Sequence, residues 1–549
     1  MRVLRGRRAL EFRLGVWVLG WSLMLVEGRA HSQDSDLFEA ASQSPNRLYG
    51  SALVSSLTRL DPTFAAGQPA DVTSLVFTAE GGFLQSCGSD GAIRAWNVRE
   101  KFRKSLSDEF RTPKAPTACG PLSALAISPD GSQCAFGGGE RVPGGPRRDY
   151  PVGLLSLRDQ TASPDYLLGH EGPVLALAYR PHGDLLASGG TDGGIRLWST
   201  TNRTLVRTLV GNGKAVTALR FTPDGGTVYA SSVDGSIRVW DVDKGNQRSV
   251  LAASGHPLSA LAMSPDGRLL ASAGTDFTIR LWETLTGKQI VRFKTHDGWV
   301  RALAFAPDGD SLVSGGYDRT VRIRFLPTGH EDVIPVKGWV SSLAISPKGE
   351  WLAAGQTDGE LLIWAMPAGA EGGAPTAALE DLWKSLVGED PLPAMAAVWT
   401  WSRVARAGDP EKRSGALKFL KDRLAPVDKD AIEQLLRQLE DDDPLVRDKA
   451  TRDLEKFGAS VEPALRRALA ETSSVELRTR VTDVLRRIAT SVIRSPEVLR
   501  TARAIQILER AGGPESEGIL APMAAGAEGS RETMDARAAL ARLRKKNGK

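Results

Sequence analysis

Apolar and polar positions along most of this chain fall into short runs that repeat at a long, fixed step. Between Pro173 and Trp198 an apolar run, Val174 to Tyr179, meets a turn at Pro181-His182-Gly183. A second run, Leu185 to Ser188, meets a tighter turn at Thr191-Asp192-Gly193-Gly194, and Ile195 to Trp198 follows. Short β-rich runs broken by Gly, Pro and Asp predict strands joined by hairpins. The last phrase recurs as Val233-Asp234-Gly235-Ser236-Ile237-Arg238-Val239-Trp240, then Thr275-Asp276-Phe277-Thr278-Ile279-Arg280-Leu281-Trp282, then Tyr317-Asp318-Arg319-Thr320-Val321-Arg322-Ile323-Arg324. Its aspartates stand at 192, 234, 276 and 318, a constant step of 42. Such a period marks one supersecondary unit copied side by side. The earlier turn of each unit reads Pro129-Asp130-Gly131, Pro223-Asp224-Gly225, Pro265-Asp266-Gly267, Pro307-Asp308-Gly309 and Pro347-Lys348-Gly349. Pro presets φ and Gly accepts positive φ, which suits a tight reversal.

These residues resemble the WD-repeat (WD40) family, whose units form four-stranded blades of a β-propeller. Seven copies are counted, with central turns near Asp90, Gly139, Asp192, Asp234, Asp276, Asp318 and Asp358. Fourth, outer strands are predicted between copies, as at Leu205–Leu209 and Gln289–Phe293. Leu57–Phe64 would supply the outer strand of the last blade, closing the ring and removing exposed sheet edges. The expected fold is an all-β seven-bladed propeller over residues 48–367, followed by an all-α helical-repeat domain.

The resemblance implies a hydrogen-bonded His, Ser/Thr, Asp and Trp set inside each blade. The third copy has His170, Ser188, Asp192 and Trp198; the fifth has Ser272, Asp276 and Trp282; the sixth has His296, Ser314 and Asp318, with Arg324 in place of Trp. Asp90, Trp96, Asp234, Trp240, Asp358 and Trp364 take the matching places in other copies, while the second has neither Asp nor Trp. All are read as structural.

Residues 368–376 lie in a Pro/Gly/Ala-rich stretch with linker composition. The period then becomes helical over 377–549: Ile432, Leu435, Leu436 and Leu439 lie at i, i+3, i+4, i+7. Prolines divide the region into roughly ten short helices. Asp443-Pro444-Leu445-Val446-Arg447-Asp448-Lys449-Ala450 with Leu454 is similar to the HEAT-repeat signature, which implies stacked antiparallel helix pairs. A plain helical bundle is the competing reading. A propeller followed by such helices resembles a group of bacterial WD-repeat proteins.

Residues 1–30 have the three parts of an export signal. Arg2, Arg5, Arg7, Arg8 and Arg13 precede an apolar run at residues 14–26, and Gly28-Arg29-Ala30 offers a cleavage site. A flexible segment follows at 31–47. The expected location is periplasmic or cell-surface, the alternative being anchorage in a membrane by residues 14–26. The net charge of +5 sits mostly at the ends. Residues 1–30 carry six Arg and two Glu, and residues 376–549 carry 31 Lys/Arg against 28 Asp/Glu. A basic pI of this origin argues poorly for nucleic acid. Cys87, Cys119 and Cys134 are read as packing residues with no bridge assigned.

No phosphate loop, zinc-protease motif or nucleophile elbow is present. No catalytic residue, metal site or cofactor is expected. The acidic run Glu440-Asp441-Asp442-Asp443 suits the positive end of a helix. The candidates for partner binding are Trp299 and Trp339, each just before the first strand of neighbouring blades, with Arg301, Tyr317 and Arg319 near them. Trp is a preferred binding hot spot. Arg141, Arg147, Arg148 and Tyr150 belong to an insertion in the second copy that would overhang the same face. Packing within a blade, and a tolerated surface loop, are the competing readings. The resulting expectation is an exported, non-catalytic scaffold that binds other proteins through the propeller face and the helical surface. An enzyme or small-ligand propeller using the central channel is the alternative.

Overall fold

The computed structural model describes residues 64–67, 70–98, 120–139, 149–159, 163–211, 213–366, 378–388, 390–406, 410–424, 428–456, 461–490, 496–527 and 530–546. The signal-like segment, residues 57–63, Cys119 and Arg141, Arg147 and Arg148 lie outside these residues. No helix among the described residues is long and apolar enough to cross a membrane.

Among the described residues twenty-seven strands, β1 to β27, build seven antiparallel sheets between Phe64 and Ala365. Blade 1 shows three described strands, β2 (Val72–Phe77), β3 (Phe83–Gly88) and β4 (Ile93–Asn97). Blades 2 to 6 show four each, and blade 7 consists of β25 (Val340–Ile345), β26 (Trp351–Gln356), β27 (Glu360–Ala365) and β1. The product is a seven-bladed β-propeller. The closing strand is β1 (Phe64–Gly67), pairing Phe64 with Ile363 and Gly67 with Glu360. Phe64 ends the run expected at Leu57–Phe64, whose other residues lie outside the described ones. A second closure ties the inner strands, where Ser341 Oγ donates to the Val72 carbonyl. Thr73 and Ser259, at the same strand position, donate to Leu122 O at 2.7 Å and Val300 O at 2.5 Å. These hydroxyls link blade to blade at the centre of the ring.

The blade set forms where the sequence supplies it. His170 Nε2 is hydrogen-bonded to Ser188 Oγ at 2.7 Å, Nδ1 lies 3.1 Å from Asp192 Oδ2, and Trp198 Nε1 donates to Ser188 Oγ at 2.7 Å. In blade 6, His296 reaches Ser314 at 2.8 Å and Asp318 at 2.9 Å. There Arg324, in place of Trp, turns outward to Glu331 and lies over Phe293. Trp96 and Trp282 donate to Ser86 and Ser272, both at 2.9 Å. Trp240 and Trp364 keep the blade position, but their buried Nε1 atoms have no partner. Ala230 and Ala354 stand where the serine would be. A further pair was not anticipated from the sequence. In five blades the turn aspartate binds an arginine four residues on, from Arg94–Asp90 at 2.6 Å to Arg322–Asp318 at 3.6 Å.

Cys87 and Cys134 are buried free thiols in one apolar cluster, and burial pushes Cys87 up to about 12.

Ten helices follow among the described residues: α1 (Leu379–Ser385), α2 (Pro391–Arg406), α3 (Pro410–Lys421), α4 (Lys429–Gln438), α5 (Pro444–Lys456), α6 (Glu462–Glu471), α7 (Val475–Thr490), α8 (Pro496–Ala511), α9 (Gly513–Ala524) and α10 (Arg531–Lys546). They form two cores. Helices α4 to α7 pack as two hairpins around Ile432, Leu454, Leu465 and Val481. Helices α1 to α3 and α8 to α10 share one continuous apolar core with blades 5 and 6, in which Met395, Trp401 and Ile505 meet Ile279, Ile290 and Leu312.

Polar contacts complete that junction. Arg503, Gln506 and Arg510 lie at i, i+3 and i+7 of α8, hence on one face. Arg510 donates to Asp310 at 2.5 Å, and Gln506 to Asp266 at 2.9 Å. Arg406 of α2 also donates to Asp310. Asp266 belongs to the Pro-Asp-Gly turn of blade 5, and Asp310 directly follows the Pro307-Asp308-Gly309 turn of blade 6. Helix capping accounts for part of the acidic run read from the sequence: Asp443 Oδ1 accepts from Leu445 N at 2.8 Å at the start of α5.

Candidate functional site

The inner strand of blade 6, β21 (Val300–Phe305), separates two ends of the ring. Its C-terminal end leads into the turn that holds Asp310, where the helices dock. Its N-terminal end carries Trp299. Six residues of strand span about 20 Å, so the Trp299 end lies well clear of the docked helices.

At that end three aromatic rings from three loops form one stack. Trp299 enters β21, Trp339 enters β25 of the next blade, and Tyr317 belongs to the turn between β22 (Ser311–Gly316) and β23 (Thr320–Phe325). Tyr317 lies between the two indoles, with centroids 5.8 Å from Trp299 and 5.2 Å from Trp339 and interplanar angles of 20° and 19°. Offset stacking of this kind adds about 0.5–1.5 kcal/mol per pair beyond area burial. The backbone fixes the loops: Tyr317 N donates to Trp299 O at 2.9 Å and Thr357 N to Trp339 O at 3.0 Å. Trp339 retains 41% of its surface exposed, while Trp299 and Tyr317 are half-buried. The stack is thus a rigid, pre-ordered apolar platform open to solvent. The corresponding entry residue in the other blades is Asp71, Pro121, Pro173, Ala215 or Pro257, so the platform belongs to blades 6 and 7 alone.

The turns beside it carry strain. Arg319 has φ of 61° and Phe277, at the same place in blade 5, has φ of 63°. Blades 1, 3, 4 and 7 use Gly91, Gly193, Gly235 and Gly359 there, all at positive φ. A non-Gly residue in this region costs about 1–2 kcal/mol. The observed strain points to a use for side chains at these two positions. Phe277 was missed from the sequence, although its departure from Asp-Gly was a legible signal. Arg319 and Lys337 are exposed and stand two residues from Tyr317 and Trp339.

The other candidates are placed elsewhere. Arg301 lines the central channel. Tyr150 opens β7 (Tyr150–Ser156) of blade 2 and pairs with His170 in the strand register, so it is part of a sheet and does not join the stack. Among the described residues no group of three or more His, Cys, Asp or Glu is arranged to hold a metal ion. His170 and His296 are held below the ordinary histidine value, chiefly by burial.

Comparison with known proteins agrees with the ring. The family described as "WD domain, G-beta repeat" matches residues 163–199, 203–241, 246–283, 287–324 and 325–365. Residues 163–365 of the ring therefore carry WD40 repeats, and the first four matches begin beside the outer strand of the preceding blade. Blade 1 and the three inner strands of blade 2 fall outside these matches. The WD repeat and HMG-box DNA-binding protein 1 of Xenopus laevis is 30% identical over 162 residues, covering 25% of this chain and 14% of that protein. The Periodic tryptophan protein 2 homolog of Neurospora crassa is 38% identical over 95 residues, covering 17% and 10%. Striatin of Mus musculus is 31% identical over 127 residues, covering 22% and 16%. The chain thus spans less than a fifth of the length of each of these relatives. Among solved structures, the WD40 β-propeller domain of Doa1 aligns with a TM-score of 0.48 at 21% identity, over 56% of this chain and 96% of that one.

Proposed function

We propose that this chain is a non-catalytic scaffold that captures a protein partner on the blade 6–7 face of its propeller. One observation carries the reading: a pre-ordered Trp299–Tyr317–Trp339 platform left open at the end of the ring away from the helices. Rigid aromatic surface supplies contact area at low entropic cost, which is what interface hot spots require. Exposed Arg319 and Lys337 favour a partner segment whose apolar anchor is flanked by carboxylates. The helical domain offers a second surface, on the two hairpins α4/α5 and α6/α7, which we read as HEAT-like. We further propose export through residues 1–30, with the mature chain beginning at His31.

The test is capture of partners from the cell envelope by the full chain and by a Trp299→Ala/Trp339→Ala variant. Loss of a stoichiometric partner in the variant, with the same partner retained by a Val250→Ala control, supports the reading. Equal capture by the double variant would sink it. Intact mass and cell fractionation test export independently: a cytosolic chain retaining Met1 would refute that part.

A further inference from the structure

The central channel of the ring is a cavity of about 500 Å³ enclosed by the seven inner strands. The fifth residue of each inner strand forms a belt around it. Six blades supply Val76, Ala126, Ala178, Ala262, Ala304 and Ala344, and blade 4 supplies Arg220. One other charged residue lines the channel, Arg301 at the second position of β21. No Asp, Glu, His or Lys is among the described lining residues.

Arg220 has five N–H donors. Its Nη1 donates to its neighbour's carbonyl, Leu219 O, at 2.8 Å, and no carboxylate pairs with it among the described residues. Arg301 likewise has no ion-pair partner among them. This contrasts with the arginines on the third strands, which bind their turn aspartates in five blades. Burial depresses Arg220 below its ordinary value, as expected for a guanidinium lacking a counter-charge. Two cations therefore face a recessed channel whose other walls are small, apolar or hydroxyl-bearing. They stand three strand positions apart in register, or about 10 Å along the channel.

We propose that the channel binds a small linear aliphatic dicarboxylate, one carboxylate on Arg220 and the other toward Arg301, with its methylenes against the alanine belt. A guanidinium presents a planar fork that matches a carboxylate in bidentate fashion. The belt supplies apolar contact and offers no competing acceptor. This site is separate from the aromatic face and does not depend on the partner reading.

Isothermal titration of the full-length protein with succinate, adipate, suberate, butyrate and inorganic phosphate tests it. Adipate or suberate is expected to bind at least tenfold more tightly than butyrate or phosphate. Arg220→Met is expected to weaken every carboxylate at least tenfold. Arg301→Met is expected to erase the advantage of the dicarboxylates while leaving butyrate unchanged. Ala304→Leu, which fills the belt and keeps both arginines, is expected to block binding, and Trp339→Ala to leave it intact. Unfolding midpoints establish that each variant is folded. Absence of saturable binding, tightest binding by phosphate, or wild-type affinity in folded Arg220→Met would each overturn the proposal.

Discussion

Arg503 of α8 and Glu283 at the end of the third strand of blade 5 meet as a buried bidentate pair across 220 residues of chain, with Nε to Oε1 at 2.8 Å and Nη2 to Oε2 at 3.0 Å. The third guanidinium nitrogen, Nη1, donates to the carbonyls of Leu386 and Gly388 at 2.6 and 2.9 Å. Every nitrogen of a side chain only 1% exposed thus has an acceptor. The pair fixes how the helices dock on the ring.

Removing one partner leaves the other charge buried and alone, which typically costs about 3–5 kcal/mol. Arg503→Met or Glu283→Gln is therefore expected to destabilise the junction by that order. The double variant should cost clearly less than the two single losses added together. Urea unfolding of the four proteins measures the coupling, and strict additivity would show that the pair does not act as a unit.

The unpartnered indoles of blades 4 and 7 invite repair. Ala230→Ser and Ala354→Ser place a hydroxyl where Ser188 accepts from Trp198 in blade 3. A gain of about 0.5–1.5 kcal/mol each is expected for satisfying a buried donor. Ser188→Ala should cost about 1–3 kcal/mol, because it strips His170 and Trp198 together. Thermal unfolding of the three variants gives both signs.

Acidification is expected to weaken the ring in two stages. His170 and His296 are depressed from 6.5, chiefly by burial, so the unfolded chain takes up protons there before the folded one does. Stability present above pH 6.5 is lost as pH falls toward the depressed folded values. Burial alone would raise Asp318, but His296, Thr320 and the Asp297 amide hold it below 3.8. Its contribution is lost at lower pH, below its unfolded value. Unfolding midpoints from pH 7.5 to 3 should decline through both windows, and His170→Asn should flatten the upper one. An unchanged upper slope in that variant would assign it to other groups.

Arg319 separates stability from binding. Arg319→Gly relieves a positive φ and should stabilise the protein by roughly 0.5–1 kcal/mol after the entropic cost of glycine. The same change is expected to weaken partner capture. Greater stability with undiminished capture would remove Arg319 from the interface. Trp339→Ala should shift stability by less than about 1 kcal/mol, since Trp339 is half solvent-facing, whereas Trp299→Ala should cost more.

Much of the ring was legible because its information is local. The step of 42 residues, the Pro-Asp-Gly turns and the Asp-centred turns each dictate their own hairpin, and seven copies of one unit leave little freedom in topology. The closing strand was expected in kind, and its described part, Phe64–Gly67, pairs with β27, which lies about 300 residues away and whose register no local pattern sets. The polar stripe of α8 was visible as letters, yet its meaning was not. Arg503, Gln506 and Arg510 interrupt a helix whose Ala502, Ala504, Ile505, Ile507 and Leu508 are all buried. Such a helix must bury its polar face on a partner, and nothing local says which.

The sequence by itself determined the blades, the hydrogen-bonded set in those blades whose residues supply it, and the change from strand to helix period, because residues close in the chain supply those contacts. Tertiary structure alone decided that the helices dock on the turns of blades 5 and 6. It also decided that Trp299, Tyr317 and Trp339 stack, and that Arg220 and Arg301 face one channel with no counter-charge among the described residues. Those relations join residues on separate elements, and only the packed ring and its docked helices bring them within reach of one another.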